Sequence, residues 1–243
     1  MSPPKAVNPP EATTQRKPVL ELQSALPFSE ENVLPNALLD LRLMPGDCAL
    51  IETQDFGRAA AFADLCTGMV ALRQGEARFM GFNWIDLEPK RAFALRGRIG
   101  RIHQRGAWAS TLRTHINIML PQLHHTRRPE AAIEEAALVL ARQFGLPGLP
   151  LVRPDRLSEA DLIRCACVRA FLGDPQLLLL ENTIGMDHPE LITPMLDLLS
   201  QALDRGAAAI CFTRDAPLWR AQAFTLSHRL HLLEDGLRPM RGT

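Results

Sequence analysis

Arg156-Leu157-Ser158-Glu159-Ala160-Asp161-Leu162-Ile163-Arg164, read on through Leu177-Leu178-Leu179-Leu180-Glu181-Asn182 to Gly185-Met186-Asp187, is the stretch that decides the fold. Ser158 stands directly before a run of good helix formers and is the expected N-cap. Asp161, three residues on, is its reciprocal partner, a looser version of the box that Glu or Gln completes. Ile163, Ala166, Cys167, Ala170 and Phe171 recur at helical spacing, and Arg164 and Arg169 are placed to face outward or toward a ligand. Gly173-Asp174-Pro175 stops this helix. Leu177 to Leu180 is a continuous apolar run between turn signals, the pattern of a parallel strand covered on both faces. Glu181 and Asn182 then put polar groups at the C-terminal end of that strand, where open α/β sheets bind ligands.

The order and spacing of these segments resemble the second half of an ABC-type ATPase domain. There an LSGGQ-like signature starts a helix, an LLLLDEP-like Walker B strand follows, and a GLD-like D-loop comes next. Leu157 to Asp161, Leu177 to Asn182 and Gly185 to Asp187 take those places. The fold the resemblance implies is α/β, with a P-loop NTPase-like (ABC ATPase) core. Its sheet is mostly parallel, and it carries an antiparallel β edge subdomain and a helical subdomain over about residues 105–172. The chemistry is partly missing. Ser158 is kept, but Glu159 and Ala160 replace both signature glycines, and a carboxylate at Glu159 would face phosphate. Counting forward from Pro175 puts Glu181 at the magnesium-associated Asp and Asn182 at the catalytic Glu. Counting back from Asp187 puts Leu180 and Glu181 there instead. Either register loses one carboxylate of the pair.

The first half resembles the opening of the same domain. Pro45-Gly46-Asp47 and Leu65-Cys66-Thr67-Gly68-Met69 match its flanking landmarks, and between them the family carries G-x-x-G-x-G-K-[ST]-[ST]. Here the span reads Thr53-Gln54-Asp55-Phe56-Gly57-Arg58-Ala59-Ala60-Ala61. Thr53, Phe56 and Arg58 fall where glycines let backbone N–H groups converge on phosphate. The lysine position is Ala59, and the Mg²⁺-ligating hydroxyl falls on Ala60 or Ala61. A slip of one residue puts Arg58 at the lysine position, still without the hydroxyl. Farther on, the strand Ile99 to Ile102 ends at His103-Gln104, and Gln104 takes the place of the Q-loop glutamine. Gly106-Ala107-Trp108 through Asn117 to Pro121 resembles the ATPase subunits of MCE-linked (mammalian-cell-entry type) lipid transporters. Trp108 and Leu112 are then either ordinary core residues or an apolar patch on which a permease's coupling helix docks. Thr213-Arg214-Asp215 stands where the family has [ST]-H-[DE], so Arg214 replaces a histidine that senses the γ-phosphate. Phe28 approximates an adenine-stacking aromatic.

Around these landmarks, residues 1–18, with five prolines and no hydrophobic period, read as a disordered leader ahead of one domain over 19–243. Val19-Leu-Glu-Leu22 and Leu38 to Leu43 alternate as antiparallel strands, and Cys48 to Ile51 is a short buried strand followed by a helix from about Gly57 to Leu65. Pro129 starts a periodic helix over Glu130 to Phe144, and His124-His125 with Arg127-Arg128 reads as a solvated turn. The 243 residues, 47% hydrophobic, suffice for a sizeable core, and 27 basic against 27 acidic residues argue against a nucleic-acid partner. Cys48, Cys66, Cys165, Cys167 and Cys211 sit in apolar segments and read as reduced core thiols of a cytosolic protein, with no metal site.

Together these features predict a catalytically degenerate ABC ATPase-like subunit of an MCE-type lipid transport system. The expected nucleotide site consists of Thr53, Gly57, Arg58, Ala59, Ala60, Gln104, Ser158, Asp187 and Arg214, with Glu181 as a vestigial catalytic residue. It would bind ATP and Mg²⁺ weakly or not at all. The expected partners are a second ABC-type protomer in a homo- or heterodimer, an integral membrane permease and, through it, an MCE-domain lipid-binding protein. That places the chain on the cytoplasmic face of the inner membrane. Two alternatives stand beside this one. Arg58 and Glu181 could form an unusual active site, or the chain could be a soluble regulatory module without a permease.

Overall fold

The alternation of the first apolar segments becomes an antiparallel sheet, and the continuous apolar runs become the buried strands of a second, mostly parallel one. The computed structural model describes residues 17–28, 33–104, 106–181, 188–220 and 225–240. In chain order the elements are β1 (Leu20–Pro27), β2 (Leu39–Leu43), β3 (Cys48–Glu52), α1 (Phe56–Cys66), β4 (Leu72–Phe79), β5 (Phe82–Asn83), α2 (Pro89–Arg96) and β6 (Ile99–Ile102). There follow α3 (Thr114–His125), α4 (Glu130–Gln143), α5 (Glu159–Phe171), β7 (Leu177–Glu181), α6 (Ile192–Asp204), β8 (Ala208–Thr213), α7 (Ala216–Arg220), β9 (His228–Leu233) and β10 (Gly236–Pro239). Most of the leader, and Asn182 to Asp187, lie outside the described residues.

Among the described residues one sheet has four strands in the order β2-β1-β4-β5, and the other has six in the order β10-β9-β3-β8-β7-β6. All pairs of the first are antiparallel, whereas in the second only β9 and β10 are. Successive residues of its central strands enter different cores, because side chains alternate across a pleated strand. Cys48, Leu50, Leu178, Leu180, Ala209 and Cys211 pack with α3, α4, α5 and α6. Ala49, Ile51, Leu177, Leu179, Ile210 and Phe212 pack with α1 and the antiparallel sheet. Every residue of β7 and β8 is buried, as strands covered on both faces must be.

Helix α5 starts as its sequence predicts. Ser158 is the N-cap, its Oγ accepting from Asp161 N at 3.1 Å and donating to the Asp161 carboxylate at 2.9 Å. The helix lies very close over β6, and a Cβ on Gly100 would stand 1.9 Å from the Ala170 carbonyl oxygen. Only glycine allows that approach.

Two expectations need correction. Arg169 does not face outward: its guanidinium donates to the carbonyls of Gly106 and Ala107 and stacks on Trp108, 4.3 Å from the ring centre. Asn117 holds the same loop by accepting from Ala109 N at 2.8 Å and donating to its carbonyl at 3.1 Å. His124 and His125 are not a solvated turn but the last residues of α3, in ring contact with Phe93 on α2. Phe28 is 52% exposed and lies beneath Arg73. The cysteines fit their reading, since all five are free and buried. Burial pushes the thiols of Cys165 and Cys167 up to about 12, so neither is a thiolate at neutral pH.

Candidate functional site

The turn from β3 into α1 is three residues long, and the side chains of all three residues are engaged. Thr53 N donates to the Thr213 carbonyl at 2.9 Å, and its buried hydroxyl accepts from Asp55 N at 3.3 Å. Asp55 is the N-cap of α1, with Oδ1 accepting from Gly57 N at 2.8 Å and from Arg58 N at 3.2 Å. A Cβ on Gly57 would come within 3.1 Å of that oxygen, so the missing side chain makes room for the carboxylate. The first amides of a helix attract anions through unpaired N–H groups and the helix dipole. Here a covalently attached anion already holds them.

Helix α1 begins at Phe56, before the residues that align with the phosphate-gripping end of a P-loop. Ala59 is fully buried in the core, and Ala60 contributes a carbonyl that accepts from Arg101 Nη2 at 3.0 Å. Arg58 turns away to the antiparallel side: Nε donates to the Val33 carbonyl at 3.2 Å, and Nη2 pairs with Glu234 at 3.7 Å and Asp55 at 4.0 Å. Arg214 lies over the Phe56 ring at 3.7 Å, and its carbonyl accepts from Gln54 Nε2 at 3.2 Å.

At the end of β7, Glu181 has a side chain only 2% exposed, and both its oxygens are taken. Oε1 accepts from Arg101 Nε at 2.7 Å, and Oε2 accepts from Gln104 N at 3.3 Å. The Arg101 guanidinium reaches Asp64 of α1 as well, at 2.5 Å. β6 pairs with β7 so that Arg101 stands beside Leu179, two residues before Glu181. Both therefore project from the same face of the sheet toward α1. Burial would lower the Arg101 pKa, but the hydrogen bonds and charges of Asp64 and Glu181 raise it above its ordinary value. His103 is pushed down to about 4, first by burial and then by the charges of Arg101 and Arg169, so it is neutral at physiological pH.

The structure thus brings Thr53, Gly57, Arg58 and Arg214 together around the β3–α1 turn, while Gln104 meets Glu181 through its backbone. Ser158 stays in its local cap, with no hydrogen bond to either group, and Asp187 lies outside the described residues. Arg58 and Glu181, the two residues of the alternative active site, have separate partners: Arg58 bonds to the Val33 carbonyl and Glu181 to Arg101. Trp108 and Leu112 are both half-buried, and Trp108 packs on the core from the loop that Arg169 and Asn117 hold. Arg101 and Asp64 were not singled out by the motif reading. The available signal was an arginine set among Ile99, Gly100 and Ile102, in a strand that the pattern makes buried.

These residues do not fit MgATP. A phosphate at α1 would have to displace the Asp55 carboxylate, and no lysine or hydroxyl follows to hold phosphate or metal. Both oxygens of Glu181 already accept hydrogen bonds, from Arg101 Nε and from Gln104 N, so a metal ligated there would have to compete with those partners. Among the described residues no group of three or more His, Cys, Asp or Glu side chains could hold a metal ion.

A parallel sheet fed by β3, α1 and β7, edged by an antiparallel sheet and flanked by α3 to α5, is the fold of the ATP-binding cassettes of ABC transporters. Its solved likeness includes a dimeric ATP-binding cassette, MJ0796, in a post-hydrolysis state with ADP and Pi. That match has a TM-score of 0.76 and 16% identity, and it covers 92% of this chain and 100% of that one. By sequence the chain is similar to MlaF, the ATP-binding protein of the intermembrane phospholipid transport system. It is 28% identical to MlaF of Haemophilus influenzae over 56% of this chain and 52% of that protein. It is 24% identical to MlaF of Escherichia coli K12 over 63% and 57%. The matches therefore span a little over half the length of these relatives. No family model matches the chain.

Proposed function

We propose that this chain is a catalytically degenerate ABC ATPase-like subunit of an MCE-type lipid transport system. It dimerises, docks on a membrane permease and serves a structural or regulatory role with little ATPase activity of its own. The observation that carries the reading is the self-pairing of the site. Asp55 sits on the α1 amides where phosphate oxygens would have to be, and Arg101 sits on Glu181 where a metal or a proton would be. In the assembly that the resemblance implies, an intact partner's phosphate site would still meet Glu159 and Ala160, so a heterodimer gains no second working site from this chain. Docking falls to the Trp108–Leu112 segment. No helix among the described residues is long and apolar enough to cross a membrane, so contact with the bilayer comes through the permease, on the cytoplasmic face of the inner membrane.

The test is affinity purification of the full chain from detergent-solubilised membranes, followed by mass spectrometry and an ATPase assay of the recovered complex. Recovery of a polytopic permease together with an MCE-domain protein is expected. Turnover should be near background, or carried entirely by a second cassette protein. Turnover in a complex that holds this cassette alone would contradict the reading, and so would recovery without any membrane protein.

A further inference from the structure

A second cleft lies apart from the β3–α1 turn, between α2, β6, α3 and the end of α5. It has a volume of about 300 Å³, at the small end for ligand sites, and its walls include Arg96, Arg101, Arg169, His103 and His125. The charges on those walls do not balance. Arg101 is answered by Glu181 and Asp64. Among the described residues Arg169 bonds only to carbonyls, those of Gly106 and Ala107, beside its stacking on Trp108. Arg96 likewise bonds only to carbonyls, of Thr67 at 3.0 Å and Gly68 at 3.1 Å, beneath the rings of Trp84 and Phe93. Among the described residues neither guanidinium has a carboxylate partner. Nδ1 of His125 is buried without a hydrogen-bond partner. A guanidinium carries five N–H donors, so both arginines keep some unspent.

We propose that this cleft binds a small oxyanion of the phosphate class, held by Arg96 and Arg169 with His125 as a further donor. Guanidinium groups suit such an ion because their donors match its oxygens in pairs. Burial is the first cause of the shifts on the cleft walls. The pKa of Arg169 is lowered to about 10, and that of Arg96 is lowered too, both by burial. His125 is depressed by burial, then by His124 of its own helix and by Arg96 of α2. A bound anion opposes each of these effects. The cleft does not include the α1 amides, but it shares Arg101 with the rim of the sheet and Ala107 and Ala109 with the loop to which docking is assigned.

The experiment uses the full chain and inorganic phosphate at constant ionic strength, with chloride as the matched control, followed by ³¹P NMR and by calorimetry. Saturable binding is expected, together with a rise in the His125 pKa followed by proton NMR of its ring. Arg96→Gln should weaken phosphate about tenfold, the loss of one charge-assisted contact. His125→Gln, a milder change at a helix end, should weaken it several-fold. The proposal is overturned if phosphate matches chloride, or if binding survives both substitutions unchanged, which would place the ion elsewhere, for instance at α1. Should Arg96→Gln fail to fold, the His125 titration and the His125→Gln variant decide alone.

Discussion

The middle of the six-stranded sheet and its C-terminal rim have the same elements behind them and opposite chemistry in front. In the middle, Cys48 to Ile51, Leu177 to Leu180 and Ala208 to Phe212 are all buried and uncharged. At the rim, within a residue or a few of those strands, Asp55, Arg101, Glu181 and Arg214 have closed onto one another or onto nearby backbone. The fold tolerates drift in individual residues because burial depends on pattern and volume. A phosphate-gripping site does not, since each glycine, cation and hydroxyl has a separate task. A chain can therefore keep the cassette fold and place self-pairing groups where an ATP-splitting site would be.

The contrast breaks most readily at Arg101. Its replacement by Leu would leave the buried Glu181 carboxylate without its cation and should cost about 3–5 kcal/mol in a urea denaturation series. The double substitution Arg101→Leu with Glu181→Leu should recover most of that loss, since paired apolar groups replace a buried ion pair at little cost. A single-mutant loss below about 1 kcal/mol, the range of an exposed pair, would show that the rim is not held by this contact.

From the core side, Gly100→Ala sharpens the same contrast. Its Cβ meets a backbone oxygen rather than a flexible side chain, so α5 must shift, and a loss of about 1–3 kcal/mol is expected by thermal or chemical melting. The two helix caps come next. Asp55→Ala and Ser158→Ala should each cost about 1 kcal/mol, whereas Asp55→Asn should keep most of the cap and remove the charge. If nucleotide then binds to the Asn variant, charge repulsion at α1 is the main obstacle; if it does not, the missing lysine and hydroxyl weigh more.

The smallest expected effect is a pH limb. The folded protein holds His103 neutral down to about 4, against an ordinary value of 6.5. Between those values the unfolded chain binds more protons, so stability present above about 6.5 declines as pH falls toward 4. The half-exposed ring keeps this limb shallow, and His103→Gln should flatten it in melting curves taken across that range.

Much of the fold was legible in the residues. Ser158 with Asp161, the leucine run into Glu181, and the alternating strands around Val19 and Leu38 all formed as their patterns require. For the site the residues offered an expectation of losses, because Ala59 and Ala60 cannot supply an ammonium or a hydroxyl in any conformation. What filled the space was not. Asp55 could be read as added negative charge, but its capping of α1 depends on where the helix begins, a boundary that sequence fixes poorly. Arg101 and Glu181 are far apart in the chain, and only the β6–β7 register sets them on one face. Arg169 misled for a related reason: helical spacing gives a direction, but not the loop that comes to meet it.

The central claim concerns whether the β3–α1 turn grips a triphosphate. Equilibrium binding of a fluorescent ATP analogue to the full-length protein, with and without Mg²⁺ and checked by competition with ATP, addresses it most directly. We predict no saturable binding below millimolar nucleotide and no dependence on Mg²⁺. Micromolar, Mg²⁺-dependent binding that is lost on changing residues of the turn would contradict the account.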